Sequence, residues 1–267
     1  MALIAAFSAD REVQEAVERV AAPRHHVVAT VSWRRLLYLI RERPITAVVL
    51  DDAILYRGGG VGSAVRELRT RFPSVSCVVV ARPLSDPHAL VRLGRARVEN
   101  LVLVPQDALD AGLRREIGRA TRHGTLALVT RALSPYLPGR ETMVLQAAME
   151  AGRCGWNAEC LASEVGLTRP HLSVRLKDAG LPSVGQLLVW ARLLHAGRWL
   201  EDPGRSAESV SRQLDYSSGA AFRRALRNYT DATPTEVIRG GGVFHVLDRF
   251  LAACTIERNP GADRSAA

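Results

Sequence analysis

The chain predicts an α/β domain built on a five-stranded parallel sheet, followed by an all-α domain. Three observations carry this. Five short apolar runs alternate with amphipathic stretches over residues 1–122. Beyond residue 155 the strand-like runs stop and helical periodicity alone remains. Between them, residues 123–155 mix a helical pattern with Ser-Pro, Leu-Pro-Gly and Gly breaks, as a helical connector would. At 267 residues the chain is long for one domain and comfortable for two.

The strand candidates are "ALIAAF" (2–7), "HVVATV" (26–31), "TAVVL" (46–50), "SCVVVA" (76–81) and "NLVLV" (100–104). Helical stretches follow them at 11–21, 33–41, 63–72, 86–93 and 108–122. Near-continuous apolar strands set between helices belong in a parallel sheet covered on both faces. In "SWRRLLYLIRER" Ser32 is placed to cap a helix on which Leu36, Leu37 and Ile40 share one face. "RGGGVGSAV" (57–65) lacks the GK[ST] of a phosphate-binding loop, and no strand runs directly into it. It reads as a loop before a helix.

Five such units resemble the receiver domain of two-component response regulators, which has a flavodoxin-like fold. The resemblance covers residues 1–122 and implies an acid pair after the first strand, a phospho-accepting Asp after the third, a Ser or Thr after the fourth and a Lys before Pro after the fifth. Ser8 and Ala9 stand at the acid pair, and Asp10 lends one carboxylate by a register slip. Asp51 stands at the acceptor with Asp52 beside it, Ala81 at the hydroxyl, and Val104 at the lysine before Pro105. Phosphoryl transfer needs carboxylates to hold Mg²⁺ and a cation to balance the new charge. The expectation is therefore a pseudo-receiver with Asp51 at a vestigial phospho-acceptor position. The plain role for Asp51 and Asp52 is a solvated pair at a strand end; the alternative is a relic ligand site at the carboxyl edge of the sheet.

In the second half, "WNAECLASEVGLTRPHLSVRLKDAGL" (156–181) places Leu161 and Val165 one turn apart, with small Ala162 where another helix would cross. Gly166 breaks the pattern, Thr168 is positioned to cap, Pro170 falls in a first turn, and Leu172 and Leu176 share a face. That is the grammar of a helix-turn-helix. It returns in "SAESVSRQLDYSSGAAFRRALRNY" (206–229). There Ser206 caps, Val210 and Leu214 point inward, Asp215 takes the turn, Ser217 or Ser218 caps, and Phe222 and Leu226 form the stripe. Leu172 to Phe222 and Leu176 to Leu226 are both 50 residues. Between the units, "SVGQLLVWARLLHAGRWLED" (183–202) reads as one long helix with a wide apolar face, bounded by Pro182 and Pro203. Trp190 and Trp199 read as packing residues.

From residue 158 to 239 the chain resembles the AraC/XylS-type DNA-binding domain, down to the closing "TPTE". The resemblance implies two recognition helices in successive major-groove segments of double-stranded DNA, set about one helical turn apart by the long helix. By position, Arg169, Pro170, Ser173 and Val174 face bases in the first unit, with Arg175 on phosphate or surface. Ser218, Gly219, Ala220, Arg223, Arg224 and Arg227 form the second contact set, with Arg223 or Arg224 reading bases and Arg227 on phosphate. Val174 replaces an arginine usual in the family, and Gly219 and Ala220 stand where longer polar readers are common.

The net charge of +9 suits an anionic partner, yet residues 1–122 hold 19 basic and 13 acidic residues against 12 and 9 in 151–240. Charge does not locate the interface. No apolar run approaches the length of a membrane span, and "MALIAAFSADREV" has no signal-peptide pattern. Cys77, Cys154, Cys160 and Cys254 lack CxxC spacing, as in a reducing bacterial-type cytoplasm. His171 and His195 have no partner at zinc spacing, so no metal is expected. Nothing assembles a nucleophile, a base and oxyanion donors, so neither an enzyme nor a cofactor is expected.

The domains expected are 1–122 receiver-like, 123–155 connector, 156–240 double helix-turn-helix, and 241–267 a helix with a disordered tail. In that tail Val243, Val246, Leu247 and Phe250 suit a helix that docks or pairs with a copy. The functional expectation is a cytoplasmic transcription regulator. It acts as a homodimer, meets RNA polymerase, and uses its first domain for dimerisation or signal input without phosphorylation. A phosphorylation-dependent regulator using Asp51 and a protein-interaction or architectural factor stay open.

Overall fold

The computed structural model describes residues 2–22, 25–55, 60–82, 91, 93–104, 107–122 and 124–255. They form two compact units. One comprises Met1–Gly124 with Asp202–Arg205, the other Thr125–Glu201 with Ser206–Ala267.

The first unit is a sheet of β1 (Ala2–Phe7), β2 (His25–Thr30), β3 (Ile45–Asp51), β4 (Ser76–Ala81) and β5 (Asn100–Leu103). All pairings are parallel and the order is β2-β1-β3-β4-β5. This is the flavodoxin-like order, with its switch point between β1 and β3. Successive residues of one strand enter opposite cores. Ala5, Phe7, Val48 and Leu50 pack with α2 (Trp33–Glu42) and α4 (Val61–Arg71). Ile4, Ala6, Ala47 and Val49 pack with α1 (Arg11–Ala21) and α5 (Leu109–Arg122). Two covered faces explain why these strands are continuously apolar instead of alternating. A one-turn helix, α3 (Asp52–Leu55), leaves the end of β3.

Ser32 caps α2 by accepting from the Arg35 N–H at 3.3 Å, and Leu36, Leu39 and Ile40 are its buried face with Leu37 half-buried. The helix expected over 86–93 and residues 57–59 of the glycine-rich run lie almost wholly outside the described residues, which resume at Gly60 before α4. Within this unit Asp202 is buried, accepting from the Ser74 N–H and hydroxyl at 2.9 and 2.5 Å and from Arg205 Nε at 2.7 Å.

The second unit contains α6 (Thr125–Leu133), α7 (Gly139–Cys154), α8 (Ala158–Glu164), α9 (Arg169–Asp178) and α10 (Val184–Leu200). It continues with α11 (Ala207–Gln213), α12 (Gly219–Thr230), α13 (Pro234–Arg239) and α14 (Val243–Ala252). Residues read from sequence as a connector fold into α6 and α7. Their Val129, Leu133, Leu145 and Met149 share one core with Leu172, Trp190 and Phe222. The Pro and Gly breaks mark the turn between these two helices.

On α7, a Cβ at Gly152 would lie 2.8 Å from Ala191 Cβ and 3.0 Å from the α10 backbone. Glycine is what lets these helices cross so closely. Nearby, His195 Nε2 lies 2.9 Å from the Met149 carbonyl, which calls for an Nε2–H donor. Burial pushes this imidazole down to about 4, so it packs as a neutral ring. The tail helix docks on its own unit: Val243, Val246, Leu247 and Phe250 are all buried. Just beyond it, the Thr255 N–H donates to the Gly180 carbonyl at 2.8 Å. The segment 258–267, expected to be disordered, lies outside the described residues.

Candidate nucleic-acid interface

Two helix pairs, α8–α9 and α11–α12, are built by the same local devices. Asn157 caps α8 by accepting from the Cys160 N–H at 2.9 Å. Ser206 and Ser209 cap α11 reciprocally, each side-chain oxygen accepting the other's N–H at 3.1 and 3.2 Å. Both turns need a left-handed backbone residue, supplied by Gly166 at φ 68° and Asp215 at φ 55°. Ser218 caps α12 by accepting from the Ala221 N–H at 3.1 Å. Thr168 holds the N-cap position of α9 without a side-chain cap bond, while Pro170 sits in the first turn.

Beyond α12, Asp231 ends the helix at φ 56°. The "TPTE" motif is then a capping box that starts α13. Glu236 accepts from the Thr233 N–H and hydroxyl, both at 2.7 Å. Those bonds from Thr233 hold the Glu236 carboxyl below its ordinary range.

The second helix of each pair buries equivalent residues, Leu172 and Leu176 on α9 and Phe222 and Leu226 on α12. The residue midway between each pair lies about 200° away around the helix, on the side opposite the core. Those residues are Val174, 58% exposed, and Arg224, also exposed.

The other sequence-derived positions divide by their partners. Arg169 is exposed and pairs with Glu159 at 2.9 Å. Arg175 is half-buried, its Nε donating to Glu141 at 3.1 Å. Arg223 pairs with Glu208 at 2.6 Å, a bond that holds the Glu208 carboxyl low. Gly219 makes room for that pair, since a Cβ there would lie 3.3 Å from Arg223 Nη1. Ser173 is exposed, with Oγ donating to the Arg169 carbonyl at 3.0 Å. Pro170, Ala220 and Arg227 are exposed. Arg224 makes no hydrogen bond or ion pair among the described residues. Sequence reasoning missed these three pairings, whose spacings of 10, 34 and 15 residues follow no helical repeat.

A second cluster forms at the carboxyl edge of the sheet. Asp51 accepts from Ser8 Oγ at 2.5 Å, from the Ala53 N–H at 3.1 Å and from Arg82 Nη1 at 2.8 Å. Arg82 Nη2 donates to Asp10, and the Arg82 N–H reaches Asp52 at 3.4 Å. The sequence reading of Asp51 and Asp52 as a solvated pair is corrected here, because Asp51 is only 1% exposed. Arg82 is the cation that compensates it, and it was missed because the receiver resemblance directs attention to Val104.

Burial opposes the charge of Arg82, but Asp51, Asp10 and Asp52 outweigh it and raise the guanidinium above its usual value. Burial raises the Asp52 carboxyl despite the Arg82 N–H. Among the described residues no group of three or more His, Cys, Asp or Glu is arranged to hold a metal ion. Among them, too, no helix is long and apolar enough to cross a membrane.

A family model described as a helix-turn-helix domain matches residues 161–240. No curated protein matches the chain. Among solved structures, a response regulator from Thermotoga maritima is 17% identical with a TM-score of 0.39, covering 45% of this chain and 98% of its own. Full-length FixJ from B. japonicum is 13% identical with a TM-score of 0.38, covering 84% and 95%. A DNA-binding transcriptional dual regulator from Escherichia coli K-12 is 27% identical with a TM-score of 0.35, covering 39% and 93%. The chain joins a parallel five-stranded α/β unit of flavodoxin-like topology to a helical unit whose residues 161–240 match a helix-turn-helix domain.

Proposed function

We propose that this protein is a sequence-specific transcription regulator of the cytoplasm, with α9 and α12 entering successive major-groove segments of double-stranded DNA. The observation that carries the reading is the equivalence of the two helix pairs. Each recognition helix buries the same two positions and exposes the same third one, and both pack on α10. At about 1.5 Å per residue the 17 residues of α10 span roughly 26 Å, long enough to hold two heads near one DNA turn apart. The test is selection from a random duplex library with the purified protein. Two preferred blocks about one turn apart are expected; binding without sequence preference would refute the reading.

Within this interface Arg224 reads a base and Arg227 contacts phosphate. Arg224→Ala should lose roughly 1–3 kcal/mol on the selected operator and relax preference at one position. Arg227→Ala should weaken selected and random DNA alike and lower the salt slope by about one. Equal losses on both DNAs for both variants would refute this division.

The N-terminal unit serves dimerisation or signal input without phosphorylation. Both Asp51 oxygens are already engaged, and a guanidinium occupies the acidic edge. Acetyl phosphate with Mg²⁺ is expected to leave the intact mass unchanged. A one-phosphoryl gain that disappears in Asp51→Asn would show a true response regulator instead.

A further inference from the structure

We infer that Val174 reads the 5-methyl group of a thymine, so that the first recognition helix selects its base by apolar contact. The assignment rests on the proposed DNA reading and deepens it. It begins from the 50-residue equivalence: Val174 occupies on α9 the outermost position that Arg224 occupies on α12. The two heads therefore present different chemistries at one geometric place. A guanidinium matches the acceptor pair of guanine, whereas the thymine methyl is the apolar group that the major groove offers.

The surroundings of Val174 favour the same assignment. Pro170 lies one turn before it on the same face, and His171, Lys177 and Asp178 are its other exposed neighbours on the helix surface. Three polar groups near Val174 are engaged within the protein. Arg169 is held by Glu159, Arg175 by Glu141, and the Ser173 hydroxyl donates to the Arg169 carbonyl. Val174 borders an open cleft with Pro138, Glu141 and His171 and remains 58% exposed. Single exposed valines are ordinary on protein surfaces. Here the position, directly opposite Leu172 and Leu176, carries the inference.

The experiment uses the full chain and the operator obtained from the library selection. Each thymine in the segment facing α9 is replaced singly by deoxyuridine, which removes one methyl and keeps the pairing. Binding is measured by fluorescence anisotropy for the wild type and for Val174→Ala, an exposed substitution whose fold is checked by circular dichroism. One replacement is expected to weaken the wild type about three- to fivefold, the worth of one desolvated methyl. The same replacement should change Val174→Ala less than about twofold, and the variant should bind the thymine operator as weakly as the wild type binds the uracil one. If every uracil operator binds the wild type equally well, or if the methyl matters as much to the variant, the assignment to Val174 is overturned and the DNA reading stands. If no sequence is selected at all, both fall.

Discussion

Trp190→Ala is expected to destabilise the second unit by about 3–5 kcal/mol, the range for truncating a buried large aromatic. Trp190 lies on α10 and is 3% exposed. Its ring meets Tyr229 of α12 edge-on at 5.1 Å and Phe250 of α14 at 5.6 Å. One side chain therefore ties the long helix α10 to α12 and to the tail helix α14. Edge-to-face pairs add about 0.5–1.5 kcal/mol beyond area burial, so the loss should fall in the upper part of the range.

Urea unfolding followed by far-ultraviolet circular dichroism gives the number, and the midpoint should fall without a change of slope. Trp190→Phe should recover more than half of the loss, because a six-membered ring still reaches one of its neighbours. A loss below about 1 kcal/mol for the alanine variant would show that the three helices hold together without this ring. Because Tyr229 shares α12 with Arg224, the alanine variant should also bind the operator more weakly.

What the sequence disclosed about this molecule followed the range of the interactions involved. The β1 and β4 runs, "ALIAAF" and "SCVVVA", coincide with the strands because both faces of the sheet are covered and every residue feels burial. At the edge, β2 lies one residue earlier than expected, and its residues are only partly buried or exposed. Caps were legible because a serine and the backbone N–H that donates to it are three residues apart, as at Ser32, Ser206 and Ser218. The αL turn residue Asp215 was legible for the same reason.

Ion pairs were not. Arg175 finds Glu141 34 residues upstream, and Arg82 finds Asp51 and Asp10 31 and 72 residues upstream. No local pattern encodes such partners, because the turn and crossover geometry brings them together. The packing of α6 and α7 escaped for a related reason. Proline and glycine in the stretch signalled where helices stop, and nothing local stated which core they join.

The Arg82 cluster yields the other large effect. Arg82→Ala removes the guanidinium from Asp51, whose side chain is 1% exposed, and strands a carboxylate with only Ser8 and the Ala53 N–H. Breaking a buried pair from one side costs about 3–5 kcal/mol. The Arg82 side chain is 36% exposed, so water relieves part of this, and about 2–3 kcal/mol is expected at pH 7.

The pH dependence has a definite sign. A carboxyl raised in the folded state, as Asp52 is by burial, adds stability that is present in acid and lost as pH rises through its folded value. Removing the guanidinium withdraws the charge that partly offsets this burial, so the Asp52 carboxyl rises further. The gap between variant and wild type should therefore narrow as pH falls from 7 towards 4. Asp51→Asn in the Arg82→Ala background separates charge from packing: it keeps hydrogen-bonding atoms and removes the stranded charge, and should recover most of the loss at pH 7. A gap that is flat from pH 7 to 4, together with no recovery in the double variant, would mean that Arg82 acts through its aliphatic stem. The recovering outcome would establish the guanidinium as the built-in counter-charge of this acidic edge, independent of any phosphoryl group.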